Sequence, residues 1–148
     1  MKRILLVCDG NTCRSPMAKV ILEQILVSRG LSDQISVDSA AVGDPSLAMA
    51  TEEARKVIKE MFSQDFLVSH KSKSISQIDI ADYDLILTMQ ERHKQVLPAN
   101  RTFTLREYAG FKGDIADPWG PNLDKYRKCR DEIKHYLEIG IERIINDC

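Results

Sequence analysis

The sequence predicts an α/β fold, a three-layer sandwich whose central parallel sheet of about four strands is flanked by helices. Three observations predict it. Short strand-type apolar runs alternate with helical stripes along the chain. The first run, Ile4 to Val7, is apolar without a break, as a strand covered on both faces must be. The segment after it, Cys8-Asp9-Gly10-Asn11-Thr12-Cys13-Arg14-Ser15, leads directly into a helix. That is the strand–loop–helix order of an open parallel sheet with its ligand site after strand one.

The elements follow in order. Ser15-Pro16 reads as a helix cap followed by proline at the first helical position. Met17, Ile21 and Ile25, with Leu22 and Leu26, make the apolar stripe, and Gly30 ends the helix. Ile35 to Asp38 is the second strand. Ala50, Ala54, Val57, Ile58 and Met61 repeat at helical spacing after Pro45. Asp84-Leu85-Ile86-Leu87-Thr88 is the third strand, with a helix expected after it that ends near Pro98. Thr102 to Leu105 is a short fourth strand. Tyr126, Ile133, Leu137, Ile141 and Ile144 mark a long closing helix. Residues 106–122, with Gly110, Gly113, Pro118, Gly120 and Pro121, form the one long irregular stretch. A loop of that length inside a compact domain usually serves function.

Composition narrows the function classes. At 148 residues and 43% hydrophobic content the chain suits one domain, 1–148, with a core of its own. A net charge of -1, with both signs mixed throughout, lacks the basic face of a nucleic-acid or anionic-membrane binder. No run approaches the roughly 20 apolar residues of a membrane span. The N-terminal apolar run is too short for a secretory leader, so the cytosol is the expected compartment. The four cysteines form no C-x-x-C pair, and His70, His93 and His135 stand at no ligand spacing. No metal or other cofactor is expected. A monomer is expected.

The first loop carries the chemistry. Its amides and the following helix N-terminus can converge on an anion. Gly10 permits backbone angles that other residues avoid. The Arg14 fork can grip two phosphate oxygens at once, and the same field favours the thiolate of Cys8. A thiolate at the floor of a phosphate cradle is placed for in-line attack on phosphorus. Ser15 can donate a hydrogen bond to that thiolate. On C-x5-R spacing alone the inference would be weak; its place between a strand and a helix, with Gly10 and Pro16, strengthens it. Departure of the leaving group needs a proton, and Asp117, stiffened by Pro118 in the irregular stretch, can give it and later take one from water. As a bare dipeptide, Asp-Pro is more often a turn.

Val7 through Ala18 resembles the signature of the low-molecular-weight protein tyrosine phosphatase family. The likeness continues through Asp38-Ser39-Ala40, His70, Asp84 to Met89 and Asp117-Pro118-Trp119-Gly120, so it spans nearly the whole chain. In the larger tyrosine phosphatases a His precedes the cysteine and the acid lies upstream; here Val7 precedes it and Asp117 lies downstream. The resemblance implies a phosphocysteine intermediate on Cys8, Arg14 on the phosphate, and Asp117 as general acid and base. It further implies Asn11, Ser39 and His70 as supports of the loop, Trp119 as a pocket wall, and Cys13 as a redox partner of Cys8. Ala41 replaces a glycine that members often carry after the Ser-Ala pair.

Thr12 bears on the substrate. Tyrosine-directed members typically carry an aliphatic residue there, and Thr resembles the bacterial protein arginine phosphatases, as does Thr104-Leu105-Arg106-Glu107-Tyr108. A short hydroxyl side chain suits a polar phosphoguanidinium, and the expected partners are phosphorylated proteins carrying phosphoarginine or, alternatively, phosphotyrosine. Asp9 departs from the arginine-type pattern, which usually has a neutral residue; it is expected to point to the rim and attract a cationic peptide. Arsenate reduction through a relay would need mid-chain cysteines, and none lies between Cys13 and Cys129. A non-catalytic phosphopeptide-binding module would be expected to lack Cys8 or Asp117.

Overall fold

The computed structural model describes residues 1–118 and 120–147. Four strands, β1 (Lys2–Cys8), β2 (Ile35–Ala41), β3 (Leu85–Thr88) and β4 (Thr102–Thr104), form one sheet in the order β2-β1-β3-β4. Every pairing is parallel, with Cys8 beside Ala41 and Val7 beside Thr88. The predicted sheet is therefore present. β1 lies inside it, and the chain leaves β1 towards β2 on one side and returns to β3 on the other. At such a reversal the loops beyond the strand ends splay apart, and the gap is a ready ligand site.

Strand β1 shows why it was legible. Ile4, Leu5, Leu6 and Val7 are all fully buried, with alternate residues on opposite faces. Ile4 and Leu6 join the larger core, under helices α1 (Arg14–Ser28), α2 (Glu52–Phe62) and α4 (Leu123–Asp147). Leu5 and Val7 join the smaller one, with Ala40, Tyr83, Ile86 and Leu97. Each such aliphatic side chain contributes about 1.5–3 kcal/mol by leaving water. The second face is covered by 3₁₀ turns and loops around Ile75, Ile78 and Ile80 rather than by α-helices. In α4, Tyr126, Cys129, Ile133, Leu137, Ile141 and Ile144 are buried at helical spacing, and the helix packs on α1 and α2.

Local expectations fail at three places. The segment before Pro98 is a 3₁₀ helix, Glu91–Val96, capped reciprocally by Gln90 and His93. The irregular stretch begins only after α3 (Leu105–Tyr108), a single turn with a capping box between Thr104 and Glu107. Helix α1 begins at Arg14, with Cys13 at the cap position and no side-chain cap. Pro16 still falls in the first turn, where its missing N–H loses no helical partner. Ser15 is thus not a cap, and its hydroxyl is free for another use. Ala41 ends β2 in ordinary strand pairing, with its amide on Lys73 O at 2.8 Å, so that position does not need glycine.

Candidate active site

The loop from Cys8 to Cys13 is wound around Asn11, which is fully buried with φ of 55°. Asn tolerates this left-handed backbone better than most residues. Its position is fixed on every side. Nδ2 donates to Ser15 Oγ at 2.8 Å and Ser39 Oγ at 2.9 Å, and Oδ1 accepts from Lys73 N at 3.1 Å. The Asn11 carbonyl lies 2.8 Å from His70 Nε2 and accepts from it. The structure thus brings Asn11, Ser39 and His70 together beneath the loop. It also corrects the reading of Gly10. Its φ is not positive, and a Cβ there would make an ordinary 3.7 Å contact with Thr12 Oγ1. Asn11 is the left-handed residue of the loop.

Substituting Asn11 by Ala is expected to lower stability by about 2–4 kcal/mol, from three lost hydrogen bonds and a left-handed Ala. Denaturant titration checks this; a loss below about 1 kcal/mol would contradict the account of the loop.

Two donors face the Cys8 sulfur. Asn11 N–H lies 3.3 Å from Sγ and Ser15 Oγ 3.0 Å. Because Ser15 Oγ already accepts from Asn11 Nδ2, its hydrogen is available to the sulfur.

Arg14, 1% exposed, crosses beneath the pocket. Its Nη1 donates to Gln90 Oε1 at 2.7 Å and to Ile115 O at 2.8 Å. Nη2 donates to Asp9 Oδ2 at 3.0 Å and lies 3.8 Å from Asp117 Oδ2. Nε is buried without a partner. Ile115 is in turn held by its amide on Met89 O at 2.8 Å, so Arg14 ties the first loop to the loop that carries Asp117.

A cavity of about 330 Å³ opens over these groups, lined by Cys8, Asp9, Gly10, Thr12, Cys13, Arg14, Thr51, Asp117, Gly120 and Tyr126. Asp117 is partly exposed in it, and Cys13 Sγ–H donates to its Oδ1 at 3.7 Å. Burial, with the neighbouring Cys8 and Asp117, pushes the Cys13 thiol up to about 12, so it is a neutral donor at ordinary pH. Trp119 lies outside the described residues, as does Cys148. No cluster of ligating side chains suited to a metal ion occurs among the described residues, and no helix there is long and apolar enough to cross a membrane.

Asp9 is not the free rim charge expected. Its carboxylate meets Arg14 from within, Arg92 Nη2 from outside, and His93 Nε2 at 3.0 Å. Burial alone would raise its pKa, but the Arg92 and His93 hydrogen bonds outweigh that and hold it below the usual carboxylate value. Two arginines and a histidine already balance its charge, so it offers a cationic peptide little. Gln90, Arg92 and His93 were missed in the sequence, as were Thr51 and Tyr126. For the first three a signal existed, since they follow β3, whose carboxyl end adjoins that of β1.

A parallel sheet with an anion-binding loop after its first strand, a buried arginine beneath and a carboxyl on a facing loop defines a cysteine-dependent phosphatase fold and site. The chain belongs to the low molecular weight phosphotyrosine protein phosphatase family, whose model matches residues 3–146. It is similar to the protein-arginine-phosphatase of Bacillus subtilis (strain 168), 35% identical over 141 residues and covering 90% of this chain and 91% of the relative. It is equally similar to the low molecular weight protein-tyrosine-phosphatase PtpB of Staphylococcus haemolyticus, 35% identical over 147 residues, with 91% and 94% covered. Among solved structures, a cysteine-to-serine mutant of the YwlE arginine phosphatase with a phosphorylated active-site serine matches with a TM-score of 0.85. That match is 33% identical and covers 98% of this chain and 97% of the other. The protein is a protein phosphatase of this family.

Proposed function

We propose that the chain dephosphorylates phosphoarginine in proteins through a phosphocysteine on Cys8. Cys8 Sγ attacks phosphorus in line as the P–N bond to the guanidine breaks, and Asp117 gives its proton to the departing nitrogen. Water then attacks the phosphocysteine while Asp117 takes back a proton. Inorganic phosphate leaves, and Ser15 O–H meets the returning thiolate. Arg14 and the loop amides hold the phosphoryl oxygens throughout. The Arg14 Nε–H left without a protein partner in the cavity that Cys8 also lines carries this reading, because that edge can take the oxygens of a phosphoryl group held against Sγ. Oxidation of Cys8 by peroxide to a sulfenic acid, followed by condensation with the Cys13 thiol, would give a disulfide and water and make Cys13 its redox partner.

The choice of arginine is supported by the hydroxyls of Thr12 and Thr51 and the carboxyl of Asp117, which are among the groups that line the cavity. A carboxylate and hydroxyls suit a planar guanidinium better than a phenol ring. Guanidine is also the poorer leaving group, with a pKa of about 12.5 or more against about 10 for phenol, so the acid matters more. The relatives include both arginine and tyrosine phosphatases. The test is hydrolysis of matched phosphoarginine and phosphotyrosine peptides by wild type and Thr12→Ile. Wild type is expected to prefer phosphoarginine, and the variant to move about tenfold towards phosphotyrosine, roughly the effect of one apolar wall contact. A wild type that prefers phosphotyrosine assigns the site to that ester, and a ratio unchanged by Thr12→Ile removes Thr12 from the argument.

A further inference from the structure

A guanidinium has five N–H donors in one plane. In Arg14 three of them are taken, two on Nη1 by Gln90 Oε1 and Ile115 O and one on Nη2 by Asp9 Oδ2. What remains is Nε–H and the second hydrogen of Nη2. Because Arg92 Nη2 reaches both Asp9 Oδ2 and Gln90 Oε1, those acceptors sit together against the Nη1/Nη2 side, and the two remaining hydrogens are parallel, the edge that grips two oxygens of one phosphate. Asp117 Oδ2 is too far from Nη2, at 3.8 Å, to occupy that hydrogen in a good bond. Of the three anchors only Asp9 bonds Nη2 itself, and with the two bonds on Nη1 it fixes which way the rigid guanidinium plane and its free edge face.

Asp9 is itself held. Gln90 N–H donates to His93 Nδ1 at 3.2 Å, so the proton of the neutral ring sits on Nε2 and points at Asp9 Oδ1, 3.0 Å away. Burial keeps His93 below its ordinary pKa and so favours the neutral ring, whose tautomer the Gln90 bond sets. Arg92 closes the other side of the carboxylate, with Nη2 shared between Asp9 Oδ2 and Gln90 Oε1. The backbone of Asp9 is tied as well, its carbonyl accepting from Gly43 N at 3.2 Å. A Cβ at Gly43 would come within 3.3 Å of that carbonyl, so the approach is close.

Taking the phosphatase reading as given, we infer that Asp9 is a positioning residue. Clamped between His93 and Arg92, it holds Nη2 and, with the Gln90 and Ile115 anchors on Nη1, keeps the Nε/Nη2 edge of Arg14 facing the phosphoryl group. Its negative charge near a dianionic substrate would by itself oppose binding, and the three cations and donors around it neutralise that cost.

The test compares Asp9→Ala and Asp9→Asn with wild type, using para-nitrophenyl phosphate turnover, inhibition by orthovanadate and thermal unfolding. Asp9→Ala is expected to lose about 10–100-fold in kcat/KM, the scale of a misaligned catalytic group. Orthovanadate should bind more weakly by a similar factor. Asp9→Asn keeps an oxygen for Nη2 but sets an NH2 against His93, and should fall between the two. Three results overturn the inference: kcat/KM unchanged in Asp9→Ala, kcat/KM raised by removal of a repelling charge, or lost activity with orthovanadate affinity of the folded fraction intact, which would mark a structural role. A wild type that neither turns over substrate nor binds orthovanadate overturns the phosphatase reading itself, and the positioning role with it.

Discussion

Cys8→Ser is expected to abolish multiple turnover, lowering kcat by at least about 10⁴-fold, while leaving the fold intact. The substitution replaces one buried group by another of similar size, and both donors to position 8, Asn11 N–H and Ser15 O–H, can serve an oxygen as well as a sulfur. What is lost is nucleophilicity. A serine hydroxyl is hardly ionised at neutral pH, and no imidazole lies within hydrogen-bond reach of Sγ to take its proton. His70 reaches only the Asn11 carbonyl, and His93 faces Asp9. Loss of a nucleophile that acts as a unit with its surroundings commonly removes most of an enzyme's rate enhancement. The decisive measurement is steady-state turnover with mass spectrometry of the variant. At most one phosphate per chain should accumulate, on residue 8, as an ester that water does not clear. Undiminished turnover would end the phosphocysteine mechanism.

Asp117→Asn should cost about 10²–10⁴ in kcat for substrates whose leaving group needs a proton, the usual worth of a positioned general acid. The amide keeps the shape and the acceptor for Cys13 S–H, so the pocket is preserved. The size of the loss should depend on the leaving group. For a phosphoarginine peptide it should be near the top of that range, and for an activated aryl phosphate it should be much smaller, because that phenolate departs without a proton. Equal losses on both would mean that Asp117 shapes the pocket rather than donating a proton. Paired kcat measurements on the two substrates distinguish these outcomes, and they do so whichever phosphorylated residue proves to be preferred.

The two predictions rest on residues of different legibility. Cys8 and Arg14 sit in one short loop, and the physics that places them is local. A strand with Ile4 to Val7 all buried has to lie inside a sheet, and the chain that leaves it has to turn into a helix over the strand end. Asp117 was found through family likeness and an irregular stretch rather than through any periodic signal. Its loop is held by Ile115, which hydrogen-bonds Met89 and Arg14, and such non-periodic contacts leave no spacing to read.

What the sequence determined by itself was whatever burial and periodicity impose within about a dozen residues: the strand and helix order, the parallel sheet, the residue types of the anion loop. Tertiary structure decided the rest. Asn11 rather than Gly10 takes the left-handed turn because Ser15, Ser39, and His70 with Lys73, from three separate segments, satisfy its polar atoms. Ser15 gives up the cap role suggested by its spacing because Asn11 and Cys8 claim its hydroxyl. Asp9 is neutralised by Arg92 and His93, 83 and 84 residues further on. That meeting happens because β3 pairs with β1 and brings two carboxyl ends side by side. Pairing between distant strands has no local signature, so the partners of Asp9, like the Gln90 and Ile115 anchors of Arg14, exist only in the folded chain.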